Sequence, residues 1–103
     1  LHEAAGEGNE SEARKLVENG ADVSAKDKWG QTPLHCSSLC GHEKVALMLV
    51  ENGADILARN ARGETPLHYA VRSDCKVVAC MLVEKGADLS LKDDSGNTAL
   101  HSA

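Results

Sequence analysis

The sequence predicts an all-α solenoid: a stack of helix–turn–helix units joined by β-hairpin-like loops. Three observations predict it. First, blocks recur at a step of 33 residues: Thr32, Thr65 and Thr98 keep it, as do Gly30, Gly63 and Gly96, and "NGAD" at 19–22 returns at 52–55 and as "KGAD" at 85–88. Second, one helix face repeats within each block. Ala13, Leu16 and Val17 match Ala46, Leu49 and Val50, and then Ala79, Leu82 and Val83, all at i, i+3, i+4 spacing. Third, aromatic residues are only 2%, with no Phe, so the core must be Leu, Val, Ile, Met and Ala. Such residues suit thin layers of closely packed helices.

The elements follow in order. Gly30, Gly63 and Gly96 sit in polar stretches such as "KDKWGQ" and "RNARGE", which read as turns. Thr32 and Thr65 then read as helix N-caps, with Pro33 and Pro66 at the first helical position, where a missing N–H removes no bond. The first helix spans roughly Pro33 to Cys40 and stops at Gly41. The second starts near Glu43 and runs to about Asn52, with Gly53 as a left-handed cap; Gly20 and Gly86 do the same in their copies. Asp74 stands where Gly8 and Gly41 end their helices. Asp tolerates a left-handed conformation better than most residues, at about 1 kcal/mol relative to Gly. The third copy is therefore expected to be looser there, or "RSDC" (72–75) to serve contact. No unit buries its apolar face alone, so the units must stack.

The period, "GxTPLH", the short first helix and "GAD" before the loop together resemble the ankyrin repeat family across the whole chain. The resemblance implies an ankyrin repeat solenoid whose hairpin tips project to one side. It also implies a non-catalytic module that binds proteins through those tips and the concave face of the first helices. The first copy carries Glu12 and Lys15 where later copies carry Val45, Val78, Met48 and Met81. We therefore expect one domain over 1–103: a partial N-terminal capping repeat at 1–26, full repeats at 27–59 and 60–92, and the start of a truncated repeat at 93–103. The chain opens on Leu1 and breaks off inside "TALHSA", so we expect a monomeric fragment of a longer chain.

Composition narrows the function further. A net charge of −5 argues against nucleic acid or an anionic membrane surface as partner. No run of about 18 apolar residues marks a membrane span. Four cysteines without paired CxxC spacing read as reduced thiols of an intracellular protein, cytoplasmic or nuclear. No cofactor is expected. His2, His35, His68 and His101 share one slot, which points to structure rather than catalysis or metal; the resemblance implies hydrogen bonds between neighbouring repeats. His42 reads as a polar turn residue, and Glu18, Glu51 and Glu84 as a solvated face.

Subtracting what repeats leaves the slots free to be specific. They hold Lys28, Trp29 and Gln31 on the first tip, Arg62 and Glu64 on the second, and Leu39, Tyr69, Arg72 and Ser73 on the first helices. The single Trp and single Tyr both fall there, and hot spots are enriched in Trp, Tyr and Arg. These nine residues are the expected partner-binding surface. Trp29 is read either as a contact or as packing across the neighbouring hairpin, and Tyr69 either as a contact or as groove lining. Basic residues gather at the first two hairpins, which suits a peptide or loop with an apolar anchor flanked by carboxylates. The alternative function is a rigid spacer within a larger multidomain protein.

Overall fold

Residues 1–99 are described in the computed structural model; 100–103, including the slots of His101 and Ser102, lie outside the described residues. Six helices form in three pairs: α1 (His2–Glu7) with α2 (Glu10–Glu18), α3 (Pro33–Cys40) with α4 (Glu43–Glu51), and α5 (Pro66–Arg72) with α6 (Lys76–Glu84). No strand forms among the described residues. No helix among them is long and apolar enough to cross a membrane.

Local chemistry fixes the starts of α3 and α5 and the ends of α2, α4 and α6. Thr32 and Thr65 are extended, and each hydroxyl accepts the backbone N–H of the histidine three residues on, His35 or His68. The histidine ring returns the bond: the backbone N–H of Thr32 donates to His35 Nδ1 at 3.1 Å, and that of Thr65 to His68 Nδ1 at 3.1 Å. This is a capping box with imidazole in the place usually held by Glu or Gln. At the other end of α2, Ala21 N–H reaches Leu16 O and Gly20 N–H reaches Val17 O, both at 3.0 Å. The same pair of bonds closes α4 at Gly53–Ala54 and α6 at Gly86–Ala87, the Schellman pattern.

The helices make two layers. In the first, α1 packs on α3 and α3 on α5; in the second, α2 packs on α4 and α4 on α6. Leu34, Leu49, Leu67 and Leu82 are almost fully buried between them, each stabilising the stack by about 1.5–3 kcal/mol. Ala5, Ala13, Ala46 and Ala70 are sealed at the crossing points, where a larger side chain would hold the helices apart. Val45 and Met48 are buried in α4, whereas Glu12 and Lys15, one repeat earlier, face solvent.

The loops stack as well. Each is closed by two backbone bonds: Asp27 N–H to Gln31 O, Asn60 N–H to Glu64 O and Asp93 N–H to Asn97 O, at 3.0, 3.0 and 2.8 Å, and a glycine N–H (Gly30, Gly63, Gly96) back to the carbonyl of residue 27, 60 or 93. Neighbouring loops are joined by Ala61 N–H to Trp29 O at 2.9 Å and Asp94 N–H to Arg62 O at 2.8 Å. Gly30 has φ +76°, and a Cβ there would lie 2.9 Å from the backbone nitrogen of Ala61. Glycine is required here both for its positive φ and for the close approach of the next loop. A second set of ties uses cations: Lys26 Nζ donates to Arg59 O at 3.2 Å, and Arg59 Nη2 donates to Lys92 O.

Histidine provides the third tie. His2, His35 and His68 each place Nε2 on a carbonyl of the following loop: Gln31 O at 2.7 Å, Glu64 O at 2.7 Å and Asn97 O at 3.0 Å. In His35 and His68 Nδ1 accepts a backbone N–H, so Nε2 carries the proton and donates. The repeated slot is structural, as its recurrence implied.

Candidate functional site

The three loops share a feature that the sequence reading missed. Residues 27, 60 and 93 are Asp, Asn and Asp, and each Oδ1 accepts two backbone N–H groups of its own loop. Asp27 receives Trp29 and Gln31, Asn60 receives Arg62 and Glu64, and Asp93 receives Ser95 and Asn97, all at 2.9 Å. These turns set the direction in which each tip presents its side chains. The signal was the recurrence of Asp or Asn two residues before the variable tip positions.

Asn60 differs from the other two in having a donor left over. With Oδ1 held by backbone N–H groups, Nδ2 must point the other way, toward Gln31 Oε1 at 2.9 Å, Tyr69 OH at 2.8 Å and Glu64 Oε1 at 3.2 Å. Its two hydrogens are shared among three acceptors. Tyr69 OH in turn donates to Gln31 Oε1 at 2.9 Å. The Tyr69 ring stands edge-on to His35, centroids 5.3 Å apart, and the Arg72 guanidinium lies over its face at 5.4 Å. Arg72 Nη2 also pairs with Glu64 Oε2.

This network places the nine expected residues in two groups. Tyr69 and Glu64 are only 7% and 4% exposed, so they face inward and hold the loop to α5 instead of lying open. Their variability between copies reflected a local network in one repeat, which pattern reading cannot separate from a contact. Trp29 is 60% exposed, with Lys28 Nζ 4.4 Å above its ring, so it does not lie flat across the neighbouring hairpin as buried packing. Trp29, Gln31, Arg62 and Tyr69 line one cleft of 320 Å³ between the first two tips. Arg62, Glu64, Arg72 and Asp94 line the next, of 390 Å³, between the second and third. Leu39, exposed at the end of α3, and Ser73, whose N–H donates to Tyr69 O at 3.0 Å, line neither cleft.

Electrostatics follow from burial. Burial alone would push the Glu64 carboxyl up, but bonds from Arg72 and Asn60 and the charges of Arg72 and Arg62 outweigh it and hold it below the usual carboxylate range. Burial pushes the Tyr69 phenol up, so it stays a neutral donor. Burial lowers His35, opposed by its bond to Glu64 O and the nearby carboxylate. His42, read as a turn residue, does more: Nε2 meets Gly6 O at 3.1 Å across the repeat boundary. The four cysteines are free thiols, with Cys40 and Cys80 exposed. Cys80 lines a further hollow of 540 Å³ over α4 and α6, with Leu47, Val77 and Met81. Among the described residues, no group of three or more His, Cys, Asp or Glu is placed to hold a metal ion.

A family model described as ankyrin repeats (3 copies) matches residues 1–93 and, again, 59–103. Similar stretches occur in larger proteins. The potassium channel KOR2 of Oryza sativa subsp. japonica is 52% identical over 40 residues, 39% of this chain and 6% of the channel. The potassium channel GORK of Arabidopsis thaliana is 54% identical over 41 residues, 40% of this chain and 5% of the channel. Human Rabankyrin-5 is 51% identical over 41 residues, 40% of this chain and 4% of that protein. The matched stretches thus span less than a tenth of each of these relatives.

Proposed function

The chain belongs to the ankyrin repeat family, and from that premise we propose that it is a non-catalytic module binding a protein or peptide across the first two loop tips and the concave face of α3 and α5. The observation that carries this reading is Trp29. A large aromatic ring stands 60% exposed beside a lysine, lining the cleft between the first two tips, although the backbone of its loop is engaged in the stack. Among the described residues, His2, His35 and His68 and the N-cap threonines Thr32 and Thr65 are engaged within the stack, which leaves the variable slots to supply open donors.

Direct contact is assigned to Lys28, Trp29, Gln31, Arg62 and Arg72, with Leu39 extending the surface along α3. Tyr69 and Glu64 position the others, and Ser73 flanks the surface at the end of α5. The four free thiols suit a reducing compartment, which favours an intracellular setting. The partner is a segment with an apolar anchor for Trp29 and carboxylates for the surrounding cations.

The test is differential capture. The wild-type chain and a Trp29→Ala/Arg62→Glu variant, matched by circular dichroism, are used as baits in cell extract and compared by quantitative mass spectrometry. The expected result is a protein retained by the first and lost by the second. Identical capture by both would place the binding site elsewhere on the chain, and no specific capture by either would favour a rigid spacer.

A further inference from the structure

The bonding within the first cleft has a fixed polarity that reaches the surface. It starts at the backbone, where the N–H groups of Arg62 and Glu64 can only donate, so the Asn60 atom facing them is Oδ1. Asn60 Nδ2 is therefore the atom turned to the cleft. It donates toward Gln31, so the Gln31 atom it meets is Oε1, which also receives the hydrogen of Tyr69 OH. With its oxygen held by two donors, Gln31 has only Nε2 left, and Nε2 makes no bond within the described residues. The amide orientation follows from backbone N–H groups, so no alternative flip satisfies the chain.

The other open groups of this cleft have the same sign. The Arg62 guanidinium has no acceptor among the described residues, whereas Arg72 is neutralised by Glu64 and Arg59 is engaged with Lys92 O. The indole N–H of Trp29 can only donate, and Lys28 stands over its ring. The Tyr69 hydroxyl and the Asn60 amide are spent inside the network. Among the described residues the cleft therefore offers three unpaired donor groups, the charged Arg62 guanidinium, the neutral Gln31 amide and the Trp29 indole N–H, beside an exposed aromatic face. Of the neighbouring carboxylates, Glu64 is buried and bonded to Arg72 and Asn60, Asp27 accepts the backbone N–H groups of Trp29 and Gln31, and Asp94 lines the next cleft beside Arg62.

We propose that this cleft is a carboxylate-binding subsite, in which Gln31 Nε2 and the Arg62 guanidinium receive an Asp or Glu side chain of an extended peptide while a neighbouring apolar residue of that peptide lies on Trp29. The proposal rests on the binding-module reading and deepens it by naming the chemistry of one subsite. A carboxylate fits because it is acceptor-only and takes two donors at once. A lysine or arginine would leave both donors facing another donor. A peptide amide would present an N–H to one of them, so the subsite also discriminates Glu from Gln. Asn60 is a positioning residue: it touches no peptide atom and sets which end of Gln31 faces out.

The test is a displayed library of random twelve-residue peptides, selected on the wild-type chain at low salt, followed by affinity measurement with synthetic copies. The account expects an enriched acidic position next to an aromatic or aliphatic one. Replacing that acid by its amide should weaken binding about tenfold, and Arg62→Glu should shift the enriched residue from acidic to basic. Gln31→Glu, which keeps the shape but removes the donor, should have the same sign of effect. Reversal of preference is a readout that mere loss of folding does not produce. Selected peptides that depend on Trp29 but carry no acidic position would overturn the subsite and leave the binding module standing. Binding by a phosphorylated serine in place of the acid, with the acid itself ineffective, would also overturn it. Peptides that bind equally to the Trp29→Ala variant, or none selected at all, would remove the reading on which it rests.

Discussion

At the scale of single residues, Asn60 decides more than its place in a polar loop implies. Asp27 and Asp93 hold the same slot and make the same two backbone bonds, yet only an amide also supplies the donor that joins Gln31, Tyr69 and Glu64. Asn60→Asp keeps the turn and the shape. It removes both side-chain hydrogens and sets a second negative charge beside buried Glu64. We expect a loss of about 1–3 kcal/mol, from the unpaired buried groups, measured by urea denaturation. The corresponding Asp27→Asn should be near neutral, since the Asp27 side chain bonds only to the backbone N–H groups of its own loop. Variability marked Gln31, Glu64 and Tyr69 as candidates, and the structure brings them together. It did not reveal that two of the three face inward, because burial depends on the pairing of side chains nine and thirty-eight residues apart. Such pairing leaves no periodic trace.

At the scale of elements, most of the structure was legible in the sequence. Thr before Pro, Gly after the apolar face and the repeating Ala–Leu–Val triplet placed α3 and α4 to within a residue, because caps and periodicity are local physics. The imidazole capping box was less visible, since the histidine three residues beyond Thr usually reads as a candidate for chemistry. Asp74 is instructive in the other direction. It takes φ +58°, the only non-glycine to do so among the described residues. Even so, Asp74 N–H reaches Val71 O at 3.0 Å and Cys75 N–H reaches Ala70 O at 2.9 Å. The equivalent bonds at Gly41 and His42 are 3.4 and 2.9 Å. The closing bonds of α5 are thus fully formed and the deviation is confined to backbone conformation. Asp74→Gly should raise stability by about 1 kcal/mol while leaving partner capture unchanged. A fall in stability would mean that the Asp74 side chain has a role beyond tolerating the turn.

At the scale of the whole molecule, three sets of bonds run along the stack: loop to loop, cation to carbonyl, and histidine to carbonyl. They couple each repeat to its neighbour and make stability depend on pH. Burial holds His35 below the ordinary imidazole value of 6.5. Above that pH the ring is neutral in both folded and unfolded chains. As pH falls below it, the unfolded chain takes up a proton that the folded chain still refuses, so stability declines. Glu64, held below its usual 4.5, is ionised in both states above that value; its contribution is lost as pH falls further. Thermal midpoints should therefore be flat from about pH 7 up to the range where thiols and phenols ionise, where the raised Cys36 and Tyr69 turn the profile down again, and on the acid side they should begin to fall near pH 6.5 and steepen below about pH 4.5. His35→Gln should flatten the upper part of that decline, and an unchanged profile would locate the proton uptake elsewhere. The central claim, that binding uses the tips and the concave face, is tested most directly by hydrogen–deuterium exchange of the chain with and without its captured partner. The account predicts slowed exchange in the first two loops and along α3 and α5, with α2, α4 and α6 unchanged. Protection confined to the hollow over α4 and α6, with the Trp29 loop unaffected, would contradict it.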